Sequence, residues 1–181
     1  MQFTETAVDG AWVIELKRIT DDRGFFARTW CGEVMAKRGL SSRITQINTA
    51  ESTRAGTLRG MHFQSAPHAE VKIASCPRGA VFDVVVDLRR ESPTYRRWHG
   101  VELTESNFKA LYIPEGCAHG YLTLADNSVL SYTTSHAYAA QSAGGVRHDD
   151  PAFGIEWPRP VTVISPADRN WPAYTHRSPT P

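Results

Sequence analysis

Two of the seven histidines sit where a side chain would face a pocket. His62 lies in Leu58-Arg59-Gly60-Met61-His62-Phe63-Gln64, where strict alternation puts Leu58, Gly60, His62 and Gln64 on one face and Arg59, Met61 and Phe63 on the other. His119 opens a strand after a Pro-x-Gly turn, in Pro114-Glu115-Gly116-Cys117-Ala118-His119-Gly120. A neutral imidazole titrates near working pH, which suits it to moving a carbon-bound proton. Histidine also ligates divalent metals, but these need several converging N, O or S donors. Gln64 stands where a second histidine would complete a His-x-His pair, and His68 and Glu70 follow Pro67 without restoring it, so no metal site is expected. Other polar residues have plainer readings. Tyr132 in a β-run is ordinarily a packed aromatic with its hydroxyl at the edge, and Asp168 in Ser165-Pro166-Ala167-Asp168-Arg169 is ordinarily a turn cap. Lys72, inside an apolar run, fits solvent-facing alternation and a pocket position equally.

Such groups act together only on a scaffold that converges them. The chain has 181 residues, 41% of them hydrophobic, enough for one well-filled core, so a single domain over 1–175 with a flexible tail at 176–181 is expected. The longest apolar stretch, 79–88, is interrupted by Asp83 and Asp87, which argues against a membrane span. The opening residues lack the basic and apolar stretches of a secretory signal, so the expected compartment is the cytoplasm. With 20 Lys+Arg against 19 Asp+Glu, no global field attracts nucleic acid. Cys31, Cys76 and Cys117 are odd in number and form no CxxC pair, and so read as reduced thiols.

The dominant pattern is period-two runs at 12–19, 44–49, 57–64, 69–76, 80–88, 99–103, 110–113, 120–123, 129–134 and 161–164, separated by Gly, Pro and Asn turns. One helix is expected at 31–39, closed by Gly39. No Gly-rich loop joins a strand to a helix, which excludes Rossmann and P-loop readings. The fold class is all-β: a double-sheet jelly roll of the cupin type with one or two short helices. The Pro-x-Gly-x-x-His spacing before His119 is shared by many cupins.

Several ordered motifs then add up. Asp22-Arg23-Gly24-Phe25-Phe26, Gln46-x-Asn48, the 58–64 segment, Asp83-Val84-Val85-Val86-Asp87-Leu88-Arg89, Ser92-Pro93-Thr94, the 113–120 segment, Asp150-Pro151 and Ile155-Glu156-Trp157-Pro158 together resemble the dTDP-4-dehydrorhamnose 3,5-epimerase family over about residues 8 to 172. The resemblance implies cofactor-free and metal-free chemistry, a homodimer, and a nucleotide-diphosphate sugar as substrate. Inverting a carbon beside a ketone needs a base on one face, a stabilised enolate oxygen, and an acid on the other face. By resemblance His62 is the base, Asp168 its partner, Tyr132 the acid, and Lys72 the group that holds the developing charge. Arg23, Arg59 and His119 complete the polar lining, with the two arginines facing the diphosphate. Gln46, Asn48, Phe26 and Tyr138 are the base-side candidates, although Phe26 and Tyr138 read equally well as ordinary aromatics. Arg23 and Phe26 are expected to reach the partner's pocket.

The chain departs from the family's commonest pattern at Arg28, at Thr49-Ala50, at Thr133, and at Gln141-Ser142-Ala143, where an acidic residue is usual. These positions concentrate on the nucleotide side and around the acid. They leave open the nucleotide carried and whether one centre or two is inverted. A ketoisomerase, a metal-dependent cupin oxygenase and a non-catalytic nucleotide-sugar binder remain the competing readings.

Overall fold

In the computed structural model, which describes residues 1–175, the alternating runs become strands with one face turned inward. The tail expected at 176–181 lies outside the described residues. The elements are β1 (Gln2–Glu5), β2 (Trp12–Glu15), β3 (Arg18–Asp21), β4 (Gly24–Ala27), α1 (Gly32–Lys37), β5 (Gln46–Ser52), β6 (Thr57–Gln64), β7 (Lys72–Arg78) and β8 (Ala80–Asp87). They continue with β9 (Trp98–Thr104), β10 (Lys109–Ile113), β11 (Cys117–Thr123), β12 (Ser128–Thr134), β13 (Ala143–Gly145), β14 (Val163–Ile164) and α2 (Pro166–Arg169).

Two sheets face each other. The first has the order β1-β2-β10-β7-β12-β5, and the second β13-β6-β11-β8-β9, with β14 added in parallel to β6. Every other ladder is antiparallel, which matches the expected jelly roll. Side chains from both sheets interdigitate between them, with Val13, Leu111, Ile113 and Leu130 of the first meeting Val81, Val85 and Leu103 of the second. Burying each such aliphatic side chain contributes about 1.5–3 kcal/mol, so this layer fixes how the sheets stack.

Two differences from the sequence pattern have local causes. The run at 12–19 is two strands: Leu16 and Lys17 leave the first sheet, and β3 pairs only with β4 in a separate two-stranded ribbon. The turn of that ribbon ends at Gly24, whose φ of +125° an L side chain rarely adopts. The single expected helix appears as α1, with Gly39 just beyond its end, but α2 is an additional helix of four residues. Its signature was present in the chain: Ser165 is the N-cap and accepts from the Asp168 N–H, and Pro166 follows at the first helical position.

Candidate active site

His62 and His119 are direct cross-strand partners on β6 and β11. The next pair is Arg59 with Tyr121, so β6 spends three residues where β11 spends two. The extra residue is a β-bulge at Gly60 and Met61, and it inverts the parity of the strand. Arg59, expected on the face opposite His62, therefore lines the same cleft, while Met61 packs elsewhere in a cluster with Val84, Val146 and Phe153 that Phe63 shares as it borders the larger lobe. Gly60 is required here, because a Cβ would lie 2.6 Å from the Cα of Gly120.

The opposing sheet supplies the other half by simple register. Tyr132 is paired with Asn48, and Thr134 with both Gln46 and Lys72, so Gln46, Asn48, Lys72 and Tyr132 share one face. The base candidate and the acid candidate thus come from different sheets and line one cleft.

Each histidine is held by a carboxylate. His62 Nε2 lies 2.6 Å from Asp168 Oδ1, and Asp168 Oδ2 accepts from the Gly60 N–H at 3.2 Å. Burial pushes the Asp168 carboxyl up, but the hydrogen bond and charge of His62 and the Gly60 N–H outweigh it and hold it below the usual carboxylate range. An ionised carboxylate only accepts, so the neutral imidazole carries its proton on Nε2 and presents Nδ1 as a free base. His119 Nε2 makes the corresponding contact to Asp83 Oδ1 at 2.9 Å, with both side chains buried. Lys72 Nζ is 3.2 Å from Glu70 Oε1, and both side chains are nearly enclosed. Burial, together with the charge of Glu70, pushes the Tyr132 phenol up against an opposing effect of Arg59, which keeps it protonated as an acid must be.

The cleft has two lobes that meet at His62, Lys72, Tyr132 and Asp168. One, about 450 Å³, adds Arg59, His119 and Tyr121. The other, about 580 Å³, adds Gln46, Asn48 and Tyr138. Arg59 is tethered through Nε to the Ser52 hydroxyl at 3.2 Å and through Nη2 to the Glu51 carbonyl at 3.0 Å. Gln46 Oε1 accepts from the Tyr138 N–H at 3.0 Å. Arg23 and Phe26 do not join this chain's own cleft: they sit on the exposed β3–β4 ribbon, where Arg23 pairs with Asp21 at 2.6 Å. Gln64, in the position a metal-binding pair would use, spends its amide on the carbonyls of His68 and Ala137, on Glu70 and on the Ala139 N–H.

The sequence model of the dTDP-4-dehydrorhamnose 3,5-epimerase family matches residues 5–176. A dTDP-4-dehydrorhamnose 3,5-epimerase of Methanothermobacter thermautotrophicus is 41% identical over 173 residues, 94% of this chain and 92% of that protein. This chain belongs to the dTDP-4-dehydrorhamnose 3,5-epimerase family. The solved Bacillus anthracis dTDP-4-dehydrorhamnose 3,5-epimerase, with TDP and pyrophosphate bound, superposes with a TM-score of 0.92 at 36% identity and covers 96% of this chain and 99% of its own. A 3'-monoepimerase of Streptomyces bikiniensis in complex with dTDP-quinovose gives 0.85 at 35% identity, over 92% and 84% of the two chains.

Within this family member the departures separate by position. Ala50 and Ala143 line the two lobes, whereas Thr49 and Thr133 alternate onto the opposite face of their sheet, and Arg28 is exposed just beyond β4. Sequence reasoning did not single out Asp83, Glu70, Tyr121 and Trp171 as site residues. Glu70 lies two residues before Lys72, a spacing that is readable in the chain. Tyr121, two residues after His119 on one strand face, is likewise readable, whereas Trp171 joins the lining only through the position of α2.

Proposed function

We propose that this protein inverts C3, C5 or both centres of a dTDP-linked 4-keto-6-deoxyhexose through an enolate. The observation that carries this is His62, oriented by the buried Asp168 carboxylate, lining one cleft with a protonated Tyr132 from the opposite sheet. The sugar ring sits where the lobes meet, with His62 Nδ1 removing the carbon-bound proton on one face and Tyr132 returning a proton on the other. The Lys72 ammonium, in a nearly enclosed position, stabilises the charge that develops on the C4 oxygen. Arg59 and His119 supply donors in the smaller lobe, Arg59 toward the diphosphate, and Gln46, Asn48 and Tyr138 line the larger one for the nucleoside. No cofactor is assigned, because proton transfer alone balances the reaction.

The proposal extends to a homodimer in which the β3–β4 ribbon carries Arg23 and Phe26 to the partner's cleft. Ile19, Phe25 and Phe26 on that ribbon are 61%, 56% and 61% exposed, an apolar surface that a second copy would cover. The direct test is deuterium exchange: in D₂O the protein should wash label into C3 or C5 of dTDP-4-keto-6-deoxyglucose, and His62→Ala should stop it. Exchange that survives His62→Ala removes the assignment of the base. Inversion seen in the product's NMR spectrum separates epimerisation from a ketoisomerase, which would move the carbonyl.

A further inference from the structure

We propose that Trp171 is a nucleotide-binding wall of the nucleoside lobe, packing against the base or ribose of the nucleotide. The inference rests on the epimerase reading above and adds to it a contact that none of the family motifs in the chain marks. Trp171 is three residues beyond Asp168, just past the end of α2, and lines the larger lobe together with Gln46, Asn48 and Tyr138. On its other side it lines an adjoining cavity of about 320 Å³ with Gln141, Ser142 and Gly145. The indole is therefore a partition, and its removal would merge the nucleoside lobe with the neighbouring space.

Backbone contact fixes the ring in that place. A Cβ at Gly145 would lie 2.2 Å from the indole Cε2 and 2.4 Å from Nε1, so the ring lies directly on the β13 main chain and only glycine leaves room for it. Gly144 is matched in the same way on Phe63, at 2.8 Å from the ring Cζ. The short strand β13 thus passes over two aromatic rings, and the indole is held by main chain where a flexible side chain would have let it drift. The Trp171 Nε1 edge is buried against the β13 main chain, so a nucleotide in the larger lobe meets the ring and not its N–H. The flat ring supplies stacking area for the base or an apolar wall for the ribose.

Thymidine diphosphate and inorganic pyrophosphate are the probes, with Trp171→Ala and Trp171→Phe as variants of the full chain. Trp171→Ala should weaken thymidine diphosphate binding by about tenfold and raise KM with kcat nearly unchanged, while pyrophosphate affinity stays at the wild-type value. Trp171→Phe should recover most of the loss and should also abolish the part of the tryptophan fluorescence change that nucleotide binding causes. A wild-type nucleotide affinity in Trp171→Ala overturns the proposal while leaving the epimerase reading intact. A fall in kcat with an altered pH profile and unchanged nucleotide affinity also overturns it, because it would mean that the indole serves only to hold Asp168. A wild-type protein that binds no thymidine diphosphate overturns both.

Discussion

At the level of single residues the chemistry depends on protonation states that the surroundings impose. In the proposed reaction Tyr132 must be a phenol when it meets the enolate, and burial with Glu70 nearby pushes its pKa above the ordinary tyrosine value, Arg59 opposing. With an unperturbed value of about 10, the acid is fully loaded at neutral pH and its loss shows only in strongly alkaline solution. The expected pH–rate profile therefore has no alkaline limb below about 10 that belongs to Tyr132. Tyr132→Phe should uncouple the two half-reactions: His62 still exchanges the substrate proton with D₂O, but inversion falls by about 10²–10⁴-fold. Measuring label uptake and product configuration on the same sample checks this, and a variant that inverts at the wild-type rate removes Tyr132 from its role. How far the site was legible is also a residue-scale matter. His62, Lys72, Asp168 and Tyr132, whose roles the resemblance implies, do converge on one cleft, but local patterning alone reads Asp168 as a cap and Tyr132 as a packed aromatic and leaves Lys72 evenly balanced between solvent and pocket. Arg59 was placed on the wrong face, because alternation cannot anticipate the extra residue at Gly60 and Met61 that restores it to the cleft.

At the level of elements the site depends on a very short one. α2 has four residues and cannot be stable by itself, so its position rests on the Ser165 cap, on Pro166 at its start, and on the contact of Asp168 with β6. Ser165→Ala removes the acceptor of the Asp168 N–H and should lower stability by about 1 kcal/mol, with a larger proportional effect on turnover because the orienting carboxylate loosens. The carboxylate also links stability to pH. Asp168 is depressed in the folded state, so its contribution is complete above the unfolded value of about 3.9 and is lost as pH falls toward the folded one. Asp168→Asn should therefore be destabilised relative to wild type at pH 7, and the difference should narrow below about pH 4. Urea unfolding at both pH values measures it, and a difference that does not change with pH refutes the linkage. The long alternating strands were readable because half their residues enter one core. β1 and β13 were not, since such short strands are decided by what they pack on, and α2 shows in the chain only as its Ser165 cap and Pro166.

At the level of the whole molecule the question is whether one chain contains a complete cleft. Within the single chain Arg23 is 90% exposed on its side chain and paired only with Asp21, far from forming part of the lining expected of it. The ribbon that carries it has a polar turn and an apolar body, Ile19, Phe25 and Phe26, which is costly to leave in water and suited to a two-fold contact in which each copy receives what it gives. If the ribbon completes the partner's cleft, then two defects in different chains must complement each other. Arg23→Ala and His62→Ala dimers should each be impaired, Arg23→Ala in nucleotide affinity and His62→Ala in proton removal. A mixed dimer has one cleft built from the intact His62 of the first chain and the intact Arg23 of the second, while its other cleft carries both defects. Random reassociation of equal amounts makes about half of the dimers mixed, so about a quarter of the wild-type clefts should return. Activity assayed before and after mixing, at subsaturating substrate where the Arg23 defect is felt, reads this directly. Recovery that never exceeds the average of the two parents would mean that each chain acts with its own residues alone, and the exposed apolar ribbon would then need a different occupant.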